Sequence, residues 1–273
     1  MRRSGRSLVL HVVLGAGLVL TVMPLLWMAS ASLMPAGEAN TFPPRLWPSR
    51  ATFEHYVALF TRLDLARHLM NSAIVAVGAT LISIVVNGMA GYAFAKLRFG
   101  PRDRLFRVLL AALVIPGQVG MLPLFLMLQK IGLVNTLVGA MIPGLAPIFS
   151  IFMVRQYALG IPDELLDAAR IDGASELRIY WTIVMPLLKP ILATLATFTF
   201  LTMWNDFMWP LIVLSDDRNY TLPVALANLV GEHVQDTELM MAGSVLTVLP
   251  VMIVFVALQR AYIRGVTMGA IKG

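Results

Sequence analysis

The sequence predicts an all-α, polytopic membrane protein: six transmembrane helices, with one ordered helical excursion on the cytoplasmic side between the fourth and fifth. Three observations lead there. The 273 residues are 58% hydrophobic and 13% charged, against roughly 25% charged in soluble domains. Several apolar runs exceed the ~18 residues that read as a membrane span. Those runs are continuous rather than alternating, so the backbone is satisfied within helices and not in a β-barrel.

Taken in order, the spans are expected at Leu8–Met28, Leu69–Phe94, Leu105–Leu128, Leu137–Met153, Pro186–Leu214 and Leu239–Tyr262, within one membrane domain over residues 1–273. The first run follows Arg2, Arg3 and Arg6 and precedes Ala29-Ser30-Ala31, as a signal peptide would. At about 20 residues it is longer than the usual 7–15 of a cleaved apolar core, so it reads as a retained span. Fifteen of the 21 lysines and arginines then fall at the two termini and in the second and fourth connections. The other six, Arg45, Arg50, Arg62, Arg67, Lys130 and Arg218, fall on the opposite side. This bias places both termini and the fourth connection in the cytoplasm. The clusters flank apolar runs, as orientation signals do, so the basic balance gives no reason to expect nucleic acid as a partner.

The first outer loop carries Phe42-Pro43-Pro44-Arg45-Leu46-Trp47-Pro48, whose prolines favour extended chain. A short helix starts after it, with Thr52 as the expected N-cap. Ser215–Asn219 reads as a turn. Eight prolines lie inside spans (Pro24, Pro116, Pro123, Pro143, Pro147, Pro190, Pro210 and Pro250) and are expected to kink them. Asn71, Ser72, Ser83, Asn87 and Gln118 read as hydrogen-bonding groups between helices, and Gly88 and Gly91 as points of close packing.

Segment 162–184 holds five of the fifteen acidic residues. Pro162 suits a first helical position, and Asp163 and Glu164 favour the positive end of the helix dipole. Leu165, Ala168 and Ala169 share a face, and Asp167 can pair with Arg170. Gly173 ends this helix in the left-handed conformation. Ser175 caps a second helix whose Leu177, Tyr180, Trp181 and Val184 form a stripe leading to Pro186. A helix lying on anionic lipid is rich in lysine and arginine. This one is net acidic, which favours contact with a soluble partner.

The segment resembles the signature loop of the inner-membrane permease subunits of binding-protein-dependent ABC importers. That pattern is Glu-Ala-Ala, three residues, glycine, nine residues, Ile-x-Leu-Pro. Here it reads Asp167-Ala168-Ala169, then Gly173, then Ile183-Val184-Met185-Pro186, with Asp for Glu and Met for Leu. Trp204-Asn205-Asp206-Phe207-Met208-Trp209-Pro210 followed by Thr221-Leu222-Pro223 is similar to the fifth-span region of carbohydrate importer permeases. Arg264–Gly273 and the first outer loop are similar to the maltose-type second permease. The resemblance implies a coupling helix, with Glu164, Asp167, Ala168, Ala169, Gly173, Ile183 and Pro186 contacting or shaping the contact with an ATPase. It implies a second permease subunit, two cytoplasmic ATPase subunits that bind the ATP and Mg, an extracytoplasmic solute-binding protein, and a bacterial inner-membrane location. The solute implied is a sugar or oligosaccharide, with a polyol phosphate or another solute as a variant.

Asp206 is the only acid in an expected span. A mid-membrane charge costs about 2.5–3.5 kcal/mol on insertion scales, so Trp204, Asn205 and Asp206 form a candidate pore or solute cluster. The bland alternative is interfacial anchoring by the tryptophans. The chain has no cysteine. Its four histidines show no metal-ligand spacing, and no phosphate-binding loop or nucleophile–base motif is present. No catalytic residue, metal or cofactor is expected on this chain. A stand-alone secondary carrier is the alternative class; such folds show internal repeats, and none is visible.

Overall fold

The computed structural model describes residues 2–232 and 236–270, with side chains over 10–229 and 236–257, at Ser7 and at Gln259. The expectations resting on the arginines at 2, 3 and 6, on His233 and on the tail from Arg260 onward lie outside the described side chains. Every described secondary-structure element is helical.

The helices are α1 (Arg2–Ala31), α2 (Glu54–Arg62), α3 (Leu65–Lys96), α4 (Arg102–Ala112), α5 (Met121–Lys130), α6 (Leu137–Leu145) and α7 (Ile148–Ala158). They continue with α8 (Asp163–Ile171), α9 (Glu176–Ile179), α10 (Met185–Trp204), α11 (Met208–Val213), α12 (Leu222–Glu232) and α13 (Thr237–Ala270). Four stretches are long and apolar enough to cross a membrane: Leu10–Ala31, Leu65–Lys96, Glu176–Trp204 and Thr237–Ala257. The third and fourth expected spans are not straight. Arg102–Ala112 and Gly117–Lys130 meet at 102°, and Leu137–Leu145 and Ile148–Ala158 at 43°. Both breaks have a proline at the restart. Pro116 precedes a short 3₁₀ turn, Gly117–Gly120, and Pro147 caps α7 in an extended conformation. Without a backbone N–H, each proline cannot continue the preceding helix. Pro24, Pro190 and Pro250 lie within continuous helices, so not every span proline breaks its helix.

The fifth span is also corrected. The helix ends at Trp204, and residues 205–207 are non-helical before α11 begins. Asp206 therefore sits in a break rather than in a helix interior. At the other end, the helical path runs unbroken from Glu176 into α10 through a π segment, Tyr180–Val184.

The contacts divide the chain into two compact units. One comprises residues 1–66 and 225–250. Here α1 is apolar on all faces: Leu10, Val12, Leu14, Leu18, Val19 and Leu20 are each more than half exposed, the pattern of a helix made for lipid or a partner helix. The extended loop that follows is pinned. Glu38 accepts from Arg45 Nη1 at 2.8 Å, from the Ser49 amide at 3.0 Å and from the Ser49 hydroxyl at 3.0 Å. Burial pushes the Glu38 carboxyl up, but these hydrogen bonds and the Arg45 charge outweigh it and hold it below the usual carboxylate range. Trp27 and Ser30 donate to the carbonyls of Arg45 and Leu46. The N-cap of α2 is Phe53, not Thr52; the Thr52 hydroxyl instead accepts from the Glu54 amide at 3.2 Å.

The other unit comprises residues 67–224 and 251–273. Its core gathers Tyr92, Val154, Ala158, Ile161, Leu166, Ile179, Tyr180, Val184, Leu188 and Leu195. Gly88 and Gly91 on α3 act as the notches expected of them. A β-carbon at Gly91 would lie 2.5 Å from Val154 Cγ1, and one at Gly88 would collide with the Tyr180 hydroxyl. The polar residues of α3 bond within the protein: Ser72 to the start of α12, as expected of a bond between helices, Asn71 to the segment before α12, and Asn87 within α3 itself. Ser72 Oγ accepts from the Leu222 amide at 2.7 Å, and Asn71 donates to the carbonyls of Arg218 and Tyr220. Asn87 donates to Ser83 one turn back. Gln118 is exposed in the 3₁₀ turn and buries nothing. Asp216 caps the turn expected at 215–219 by accepting from the Arg218 amide.

Candidate functional site

Two places gather the residues singled out by sequence: the helical elbow around Gly173, and a cavity beside Asp206.

Pro162 is the N-cap of α8, one position earlier than expected, with extended φ and ψ of −60° and 133°. The helix starts at Asp163, whose Oδ1 accepts from Lys96 Nζ at 2.7 Å; the same ammonium donates to the Ile161 carbonyl at 2.6 Å. Lys96 thus clips the end of α3 to the start of α8. That hydrogen bond, with the Lys96 charge, holds the Asp163 carboxyl below its usual range. At the far end Gly173 has φ of +81°. The Gly173 amide donates to the Arg170 carbonyl and the Ala174 amide to the Ala169 carbonyl, both at 3.0 Å, which is the Schellman pattern. Ser175 then caps α9, its Oγ accepting from the Arg178 amide.

Arg170 braces the elbow. It donates to Asp167 Oδ1 at 2.7 Å and, across the glycine, to Glu176 Oε1 at 2.6 Å. The Tyr92 hydroxyl holds the other Glu176 oxygen at 2.9 Å. The Glu176 and Asp167 hydrogen bonds raise the Arg170 guanidinium further above its already high range, so it stays charged. Asp167 is therefore engaged within the elbow, through the pairing with Arg170 expected from their spacing. The brace from Arg170 to Glu176 was not legible beforehand, because the two lie on different helices.

The faces of α8 differ from the expectation. Leu166 is the anchor, 1% exposed in the core, and Ala169 packs beside it. Leu165 is 43% and Ile171 86% exposed, and Glu164, Ala168 and Asp172 are exposed with them. The outward stripe is thus Glu164, Leu165, Ala168, Ile171 and Asp172. In the next helix Ile179, Tyr180 and Val184 are buried, whereas Leu177 and Trp181 are exposed. The π segment rotates the helix face between Ile179 and Met185, so an α-helical count across it fails. Ile183 packs partly against the core, and Pro186 is exposed within the first turn of α10.

The second place is a cavity of about 730 Å³ between α5, α6, α7, α10 and the break before α11. That volume lies within the ~300–1,000 Å³ of small-molecule sites. Of the three candidates from sequence, only Asp206 lines it. Trp204 is 3% exposed and stacks on Phe200 at 5.8 Å. Asn205 donates back to the Leu201 carbonyl. Asp206 Oδ1 accepts from the Trp209 amide at 3.4 Å, and the indole of Trp209 donates to the Gly139 carbonyl at 3.0 Å. The other polar walls are Ser150, Thr199 and Thr202, and the apolar ones include Met121, Leu124, Phe149, Phe198 and Met203. Sequence reading missed these. The serine and threonines look like ordinary helix residues until α7 and α10 are packed, and the prolines that open the space act through the bends they permit. No group of histidine, aspartate and glutamate suited to a metal occurs among the described residues.

An all-helical chain with several apolar spans and a braced polar elbow is the form of a multi-pass membrane protein. Residues 87–268, which include the elbow and all the residues lining the cavity, match the family described as binding-protein-dependent transport system inner membrane component. The chain belongs to that family, which comprises the membrane permease subunits of ABC importers. It is 38% identical over 257 residues to the arabinooligosaccharides transport system permease protein AraQ of Halalkalibacterium halodurans, covering 93% of this chain and 92% of the relative. It is 31% identical over 276 residues to the lactose transport system permease protein LacG of Rhizobium radiobacter, covering 100% and 98%. Among solved structures, a chain of a bacterial ABC transporter that imports the acidic polysaccharide alginate superposes with a TM-score of 0.83 at 25% identity, over 94% of this chain and 97% of that one.

Proposed function

We propose that this chain forms part of the pore of an ATP-driven importer for a sugar or oligosaccharide, and that α8 is its coupling helix. The carbohydrate assignment draws on the relatives that serve arabinooligosaccharides and lactose. The observation that carries the coupling role is the outward stripe of α8. Its apolar knob, Ile171, is 86% exposed, while the helix behind it is fixed by Leu166, Lys96 and Arg170. A rigid helix with an exposed apolar knob and an acidic rim suits docking into a cleft of a soluble protein.

In this reading the elbow lies in the cytoplasm, six spans cross the membrane with the bent pairs counted as one each, and both termini are inside. Two ATPase subunits bind ATP and Mg below, a second permease completes the pore, and an extracytoplasmic binding protein delivers solute. Closure of the ATPase pair pushes α8, and the unbroken path from Glu176 to Trp204 carries that push toward the cavity. The pore then alternates between inward- and outward-facing states. Within the motif, Glu164 and Ala168 contact the ATPase. Asp167, Ala169 and Gly173 shape the elbow, and Ile183 and Pro186 set its junction with α10. Asp206 faces the solute path; Trp204 and Asn205 support it.

The assembled transporter in proteoliposomes tests this. Ile171→Asp removes the knob without touching the brace. It should cut co-purification of the ATPase and ATP-driven sugar uptake at least tenfold while leaving expression unchanged. Full uptake by this variant would overturn the docking role.

A further inference from the structure

The cavity beside Asp206 has a one-sided charge. Its polar walls are the Ser150, Thr199 and Thr202 hydroxyls and the Asp206 carboxylate, and no lysine, arginine or histidine is among its lining residues. The rest is apolar or aromatic, with Phe198 45% and Phe149 52% exposed at its edge. Such a wall suits a neutral polyhydroxylated molecule. Carboxylate and hydroxyl oxygens accept from sugar hydroxyls, and aromatic faces pack against the apolar faces of a sugar ring. It does not suit an anion. A phosphate or uronate is held by arginine, lysine or converging N–H donors; here it would meet a carboxylate with no cation beside it. Like charges held that close, with water partly excluded, repel more strongly than they do in bulk water.

We infer that this cavity is a binding site for neutral saccharides that discriminates against anionic ones, with Asp206 as the discriminating residue. The inference rests on the proposed importer role and deepens it. It sets this chain apart from its structural relative, whose solute is the acidic polysaccharide alginate, and it argues against a polyol phosphate as the natural solute.

The absence of cysteine allows a direct test in the assembled transporter, with any thiols of the other subunits removed. Thr202→Cys puts a single thiol on the cavity wall, and Ser150→Cys, a near-isosteric change, provides a second site should the first disturb assembly. Each is treated with a cationic and with an anionic methanethiosulfonate of similar size, with and without ATP. The cationic reagent should react about tenfold faster than the anionic one, relative to their rates with a free thiol. Adding Asp206→Asn should remove most of that preference. Raffinose should slow labelling, and trigalacturonate at the same concentration should not. Equal rates for the two reagents, or equal protection by trigalacturonate, would overturn the charge discrimination while leaving the importer role intact. If neither thiol labels in any state, the cavity is closed to water and the site itself is wrong. Absence of ATP-driven sugar uptake by the unsubstituted transporter, with the labelling pattern intact, would instead count against the importer reading.

Discussion

Single residues in this chain act mostly by closing local hydrogen-bond accounts. Ser72 is 2% exposed and its hydroxyl is the acceptor for the buried Leu222 amide. Ser72→Ala should therefore destabilise the protein by about 1–3 kcal/mol, the cost of leaving a buried donor unpaired. Thermal unfolding in detergent would register this as a lower midpoint, and Ser72→Thr should recover part of it. Asp163 provides a pH-dependent case. Its carboxyl is held low by the Lys96 bond, so the tie to α3 is fully present above the ordinary carboxylate pKa of about 3.9 and is lost as pH falls through the lowered value. A spin label on Leu165→Cys should stay immobile from neutral pH down to about pH 4 and gain mobility only in stronger acid. Asp163→Asn should remove that transition; if it persists unchanged, another group controls the docking of α8. The spacing of Asp167 and Arg170 made their pair legible. Lys96 and Glu176 were not: Lys96 meets Asp163 only after distant segments pack, and Glu176 meets Arg170 only because the turn at Gly173 folds one helix back toward the next.

At the scale of elements, the glycines separate two kinds of constraint. Gly173 has nothing within 4 Å of a would-be β-carbon, so its requirement is the left-handed φ of +81°. Gly91 lies in an ordinary helix, and its requirement is space. A β-carbon there meets Val154 Cγ1 and Cβ and, at 2.9 Å, the Arg155 backbone nitrogen. Gly91→Ala should cost about 1–3 kcal/mol by overpacking. Val154→Ala in the same chain should restore only part of that, because the backbone of α7 remains in the way; full recovery would show that side-chain crowding alone sets the limit. Gly173→Ala should cost less, about 1–2 kcal/mol for a left-handed residue, and its effect should fall on ATPase coupling more than on folding. Parallel unfolding and uptake measurements on the two variants separate the cases. Both roles could be read from sequence, as an elbow after a short amphipathic helix and as small residues in an apolar run. Of the stripe Leu177, Tyr180, Trp181 and Val184 only Tyr180 and Val184 are buried; Ile179 takes the inward place expected of Leu177, and the π segment over Tyr180–Val184 widens the turn that follows, which no sequence signal announces.

For the whole molecule, the charge bias of fifteen against six yields an orientation that fusions can test. A reporter active only in the cytoplasm should work when attached after Gly273 and fail when inserted at Asp217, in the turn at 215–219. Activity at both would refute the six-span topology, and with it the cytoplasmic placement of α8.

The sequence by itself determined that the chain is helical and membrane-embedded, where its apolar runs lie and where the elbow is. It also determined the family. Hydrophobic run length, helix caps and a fixed-spacing motif are local properties, set within a few turns of chain. Tertiary structure decided which prolines bend a span and which are absorbed. It turned Leu166 inward and Ile171 outward, and it placed Arg170 across the glycine onto Glu176. It also took Asp206 out of a helix and set it among Ser150, Thr199 and Thr202 around a cavity. Those outcomes depend on turn geometry and on which surfaces pack together, and neither a contact made across a turn between two helices nor one made between distant segments leaves a periodic mark in the sequence.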